Sequence, residues 1–197
     1  MPKCYSQQER EYIIKRLKEE AAKCLSQYGI KRTTVDEIVK RVKIPKGTFY
    51  LFYQSKELLL FDVILEEHDK IEKQLLEALS RLNPKEITCE QLTDLLFEFF
   101  KVAEDMPILK MLNSGEIEIL TRKLPADIVT NHLLQDKSMV ERFFEKFVPE
   151  GNKDMEVFSV AFRNIYFATL HKNEFDERHY DDALKLLIQG LVIQLLQ

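Results

Sequence analysis

The 197-residue sequence holds only five glycines, six prolines and three cysteines, and it has no tryptophan. Scarce chain breakers leave long uninterrupted stretches, and most of the glycines and prolines fall between apolar segments of helical period rather than inside them. Cys4, Cys24 and Cys89 are odd in number, widely spaced and without a C-x-x-C, which points away from a disulfide framework or a zinc ribbon and towards a reducing compartment. No apolar run approaches the ~20 residues of a membrane span. The opening MPKCYSQQEREYIIKRLKEE turns charged where a secretory leader needs an apolar core, so a cytoplasmic protein with no membrane partner is expected. Internal repeats, low-complexity tracts and flexible linkers are missing as well.

What is present is a chain with 45% apolar and 31% charged residues. At this length roughly 70% of the unfolded surface can be buried, so no metal or disulfide staple is required. Four Ser/Thr-x-x-Glu/Gln patterns mark helix starts: Ser6 to Glu9, Thr34 to Glu37, Thr88 to Gln91 and Ser138 to Glu141. Together with the breaks they predict helices over 7–28, 34–41, 45–52, 56–82, 89–104, 107–113, 116–122, 125–135, 138–148, 154–172 and 177–196. The expected fold class is all-α, with an amino-terminal domain over 1–55 joined through a long helix to a helical bundle over 56–197.

Charge divides the same way. Residues 1–62 carry 13 Lys+Arg against 8 Asp+Glu, net +5, while residues 63–197 carry 16 against 25, net −9. From Ile38 to Lys56 there is no acid, but Lys40, Arg41, Lys43, Lys46 and Lys56 are present, which is where an anionic partner would be met. A solvated face that happens to hold several lysines is the competing account.

The pattern of elements favours a nucleic acid. An amphipathic helix places Ile13, Leu17, Ala21, Cys24 and Leu25 on one side and stops at Gly29. The short segments 34–41 and 45–52 follow, separated by Val42-Lys43-Ile44. This spacing suits a helix-turn-helix, whose second helix enters a major groove about 12 Å wide. Val35, Ile38, Val39, Val42, Ile44 and Phe49 would form the small core beneath it.

Three stretches, GIKRTTVDEI from Gly29, IPKGTFY from Ile44 and SKELL from Ser55, resemble the DNA-binding domain of the TetR (tetracycline repressor)/AcrR family of transcriptional regulators over roughly residues 10–62. Two positions depart from the family pattern. Phe52-Tyr53 stands where Tyr-Phe is usual, and Lys43 holds a turn position often given to Gly, at a cost of order 1 kcal/mol if its φ is positive. Gly47, flanked by Lys46 and Thr48, would let the backbone approach DNA, and Pro45 suits a first helical position. Lys46 is the candidate for base readout, because an ammonium can donate to guanine O6 and N7. The resemblance implies that Thr34, Tyr50 and Lys56 hold phosphates; as an N-cap, a packed ring and a solvated lysine they would be purely structural.

In the body, Ala183 to Leu196 reads ALKLLIQGLVIQLL, apolar around most of a helix and therefore in need of cover on two sides. Two central helices of a monomeric bundle would satisfy this. The resemblance implies instead a twofold homodimer paired through its last two helices, with Phe158, Ile165, Leu184, Leu187, Gly190, Leu191 and Leu195 at the interface, on a palindromic double-stranded DNA operator. Nine of the thirteen phenylalanines lie between residues 97 and 167. Phe97, Phe100, Met111, Phe143, Phe162 and Tyr166 are candidates to line a pocket for a small apolar or aromatic effector, against the alternative of core packing.

No cofactor, metal site or catalytic residue is expected. A di-iron bundle needs repeated Glu-x-x-His sets, and the sequence offers a single Asp176-x-x-His179; it has no Gly-rich phosphate loop, G-x-S-x-G or His-x-x-x-His. A helical-bundle enzyme and a helical module binding an acidic protein are the competing function classes.

Overall fold

The computed structural model describes residues 5–83, 85–105, 116–132, 141, 145, 147, 154–170, 172 and 178–197. Among them there is no strand, so the all-α expectation is met. The helices are α1 (Gln7–Arg32), α2 (Val35–Val42), α3 (Lys46–Phe49), α4 (Lys56–Ser80), α5 (Cys89–Asp105), α6 (Glu116–Thr121), α7 (Met155–Leu170) and α8 (Tyr180–Leu196), with a further helical stretch over 126–132. The predicted segment 107–113, most of 138–148, the Ser138 cap, Met111 and Phe143 lie outside the described residues. No described helix is long and apolar enough to cross a membrane.

Local chemistry sets the starts. Ser6 accepts from the Glu9 amide at 3.3 Å while its own amide donates to the Glu9 carboxylate at 2.8 Å, a reciprocal cap on α1. Thr88 and Gln91 repeat the arrangement before α5. The Thr34 hydroxyl accepts from the Glu37 amide at 3.2 Å and starts α2. Gly29 interrupts α1 as expected: its φ of 74° and ψ of 178° lie in a region reserved almost wholly to glycine, and a single turn over 30–32 follows.

The described residues fall into two compact units, one within Met1–Lys70 and Ser114–Leu124, the other within Ile71–Asn113 and Pro125–Gln197. In the first, Ile13, Leu17, Ala21, Cys24 and Leu25 of α1 are buried together with Ile38 and Val39 of α2, Phe49 of α3, Leu59 and Leu60 of α4, and Leu120 of α6. Burial pushes the Cys24 thiol upward, so it stays protonated as a small apolar filler. In the second unit, Leu75 and Leu79 of α4, Leu92, Leu96 and Phe100 of α5, Phe162 and Ile165 of α7, and Leu184, Ile188, Val192 and Leu195 of α8 make one core. Their spacing of three or four residues is that of one buried stripe per helix.

Candidate nucleic-acid interface

The turn between α2 and α3 is tight because Lys43 takes the left-handed conformation, φ 62° and ψ 44°, and the Ile44 amide returns to the Val39 carbonyl at 3.1 Å. Lysine pays a steric penalty there that glycine would avoid. Pro45 then occupies the N-cap of α3, one place before the first helical position that was expected of it. The helix ends at Phe49, shorter than the predicted 45–52, and is followed by a turn in which the Phe52 and Tyr53 amides both donate to the Phe49 carbonyl at 2.9 and 3.0 Å.

This geometry sorts the motif residues. Lys46, Gly47 and Tyr50 are exposed, and Leu51 beside them is 53% accessible despite its apolar side chain. A Cβ built on Gly47 meets nothing within 4 Å. Glycine there is demanded neither by packing nor by backbone conformation, although it is a poor helix former. The open space is suited to something outside the chain. Phe49 anchors the helix from beneath, edge-on to Tyr50 at 5.2 Å between ring centres.

Thr48 faces inward. It is 8% accessible and its hydroxyl lies 3.4 Å from that of Tyr5, whose ring sits 5.9 Å from Phe52. Thr34 is exposed while it caps α2, so its methyl and remaining lone pair face solvent. Lys56 is neither solvated nor simply free: its ammonium donates to the carbonyls of Ile30 at 3.0 Å and Thr33 at 2.7 Å, leaving one N–H uncommitted. Lys46 pairs with both oxygens of Asp36 at 2.9 and 3.0 Å, which holds its ammonium more firmly protonated than usual.

The frame around these residues is well braced. Lys18 of α1 bridges Asp62 and Glu66 of α4, both at 2.8 Å. The Tyr53 hydroxyl donates to Asp62 at 2.6 Å, and burial with that carboxylate pushes the phenol far above its ordinary range. Arg41 is fixed by Glu37 at 2.7 Å and by the Tyr28 hydroxyl at 3.0 Å. A rigid frame presenting a short helix with a bare backbone patch, a lysine and a tyrosine fits duplex DNA.

Residues 17–63 match the sequence model of the bacterial regulatory proteins, tetR family. That segment, which holds α2, α3 and the start of α4, is similar to the family's DNA-binding region. It is 37% identical over 121 residues to the uncharacterized HTH-type transcriptional regulator YuxN of Bacillus subtilis (strain 168), a match spanning 58% of this chain and 41% of that one. Among solved structures, a TetR-family transcriptional regulator from Streptomyces coelicolor shares the fold with a TM-score of 0.68 at 14% identity, covering 95% of this chain and 97% of the other. Thermus thermophilus FadR, a TetR-family repressor in complex with lauroyl-CoA, gives 0.61 at 17% identity over 93% of each chain. At such identities the likeness establishes the fold alone.

The match to the family model ends at residue 63, and the body beyond it is described by its own packing. Phe100 and Phe162 are buried with ring centres 5.1 Å apart, and Tyr166 stacks 6.4 Å from Phe100; Phe99, which the sequence reading passed over, joins them at 6.3 Å from Phe162. Phe97 lies at the edge under Lys185, whose ammonium is 5.9 Å from the ring centre.

Of the residues assigned to an interface, Ile165, Leu184 and Leu195 lie in the body's own core and face away from solvent. Leu187 and Gly190 are exposed, and Phe158 and Leu191 are half-buried. The outward apolar surface also includes Val157, Val160 and Phe167 of α7 and Leu186 and Ile193 of α8. The helical period held this information: Leu186 and Ile193 fall seven apart, on a face opposite the stripe of Leu184, Ile188, Val192 and Leu195.

Proposed function

We propose that the protein is a homodimeric repressor that binds a palindromic operator and is released by a small apolar or aromatic effector in the cytoplasm. The observation that carries the DNA reading is the empty space over Gly47, bordered by the exposed Lys46 and Tyr50. Such a bare patch lets the backbone of a helix come closer to the duplex, with donors beside it for bases and phosphates. Lys46 reads a base edge, Gly47 gives close approach, and Thr34 and Tyr50 meet phosphates. Lys56 adds its one remaining N–H to the phosphate side, and Thr48 positions α3 from within.

Pairing is supported by the exposed apolar residues of α7 and α8, a surface that a single chain leaves uncovered. A twofold mate would place a second α3 about one helical turn of DNA away, about 34 Å or somewhat more. The aromatic group of Phe99, Phe100, Phe162 and Tyr166 supports an effector of apolar character, with Phe97 at its edge. Two polar atoms on the same helix support a polar head on that effector: the fully buried Ser159 hydroxyl and, one turn on, Arg163 Nε both lack a hydrogen-bond partner among the described residues. Effector binding is communicated through α4, shared by both units, if the two states bind it with different affinity.

Selection of bound sequences from a random duplex pool tests the reading. Recovery of a palindrome is expected, and a pool that converges on nothing would remove the DNA-binding assignment.

A further inference from the structure

Asp36 is the anomaly on the DNA-facing surface. Between Lys31 and Lys56 the only acids are Asp36 and Glu37. Glu37 is committed to Arg41 at 2.7 Å and frames α2. Asp36 sits in the first turn of α2, where its charge adds only a little to helix stability; its side chain is 73% exposed, and the cap is supplied by Thr34. Among the described residues its one partner is Lys46, itself 51% exposed and gripped by both carboxylate oxygens. An ion pair so open to water contributes little to folding. It also sets a negative charge against a polyanion, which weakens association with any duplex. A residue that adds little to stability and lowers general affinity is accounted for by discrimination.

We propose that Asp36 is a specificity-determining residue of the DNA site, an inference that rests on the DNA-binding reading of α3. Its carboxylate does two things. It holds the Lys46 ammonium away from phosphates, so that this lysine is offered to base edges and not to the backbone. It also accepts from a cytosine N4 amino group, the donor that a carboxylate fits in the major groove, while repelling the acceptor edges of guanine and thymine. Lys46 and Asp36 then read as a donor and acceptor couple, matched to guanine O6/N7 and to cytosine N4 in the same site.

The test compares wild type with Asp36→Asn and Asp36→Ala on two duplexes of equal length, the sequence wild type selects from a random pool and a scrambled version, at several salt concentrations. Both variants should bind the scrambled duplex more tightly, with a salt slope steeper by about 0.9 as Lys46 moves to a phosphate. The preference for the selected duplex should fall about tenfold. Adding Lys46→Ala to Asp36→Asn should abolish the gained non-specific affinity. An unchanged preference, or an equal weakening on both duplexes, overturns the role of Asp36 while leaving DNA binding intact. If wild type itself selects no sequence, the DNA reading and this inference fall together. Thermal melting of each variant separates these outcomes from loss of fold.

Discussion

The Lys56 ammonium donates to the Thr33 carbonyl at 2.7 Å and to that of Ile30 at 3.0 Å, tying the first turn of α4 to the corner between α1 and α2. That corner fixes where α2 starts, and so where α3 points. A lysine matched to the family motif therefore has a structural task whatever it does on DNA.

Replacing it exposes that task. Lys56→Ala should leave two carbonyls short of a charged donor and destabilise the amino-terminal unit by about 1–2 kcal/mol. Denaturant melts of the free protein would measure this, and unchanged stability would mean the contact is solvent-exchanged and idle.

The same corner is held from the other side by Glu116, whose carboxylate accepts from the Ile30 amide at 2.6 Å. A Cβ on Gly29 would come within 2.8 Å of that carboxylate, at a φ of 74° that side chains rarely adopt. Gly29→Ala should therefore cost about 2 kcal/mol or more, combining backbone strain with displacement of Glu116. Glu116→Ala should cost less, about 1–2 kcal/mol, because only the amide loses its partner. Equal melts for both variants would contradict this ordering.

Gly47 makes the opposite prediction. Nothing inside the chain opposes a methyl group there, so Gly47→Ala should hold or raise stability by up to about 1 kcal/mol through helix propensity. Duplex affinity should nonetheless drop by about tenfold or more, as the methyl holds the backbone off the groove. A variant that binds as well as wild type would show that close backbone approach is not used.

The apolar surface of α8 gives a fourth test. Leu186→Glu with Leu187→Glu leaves Leu184 and Ile188 in the core, so helicity by circular dichroism should persist. Sedimentation should shift from the mass of two chains to that of one. Persistence of the dimer would move the interface elsewhere.

Features written in adjacent residues could be read from the sequence. Ser6 with Glu9, Thr34 with Glu37, and the stop at Gly29 each act within four residues, and the helices they delimit appear where the pattern places them. Lys43 was marked as a departure at a turn position, and it is indeed the one described non-glycine residue with positive φ. Long-range partners left no local trace. The burial of Thr48 under Tyr5, the hold of Lys56 on Ile30 and Thr33, and the reach of Glu116 to Ile30 link residues 23 to 86 positions apart. The shorter α3 has no such local mark: Tyr50, Leu51 and Phe52 suit a helix by composition, yet they form a turn after Phe49.

Residues 116–124 belong with the amino-terminal unit although almost all of that unit precedes Lys70. On the ribosome, this unit is thus unfinished until Leu120 and Leu124 emerge, well after α2 and α3. A nascent or truncated product lacking them would display the bare apolar seat of α6 and an unmet Ile30 amide, prey for proteases and chaperones, so that only chains already extended through α6 would complete this unit.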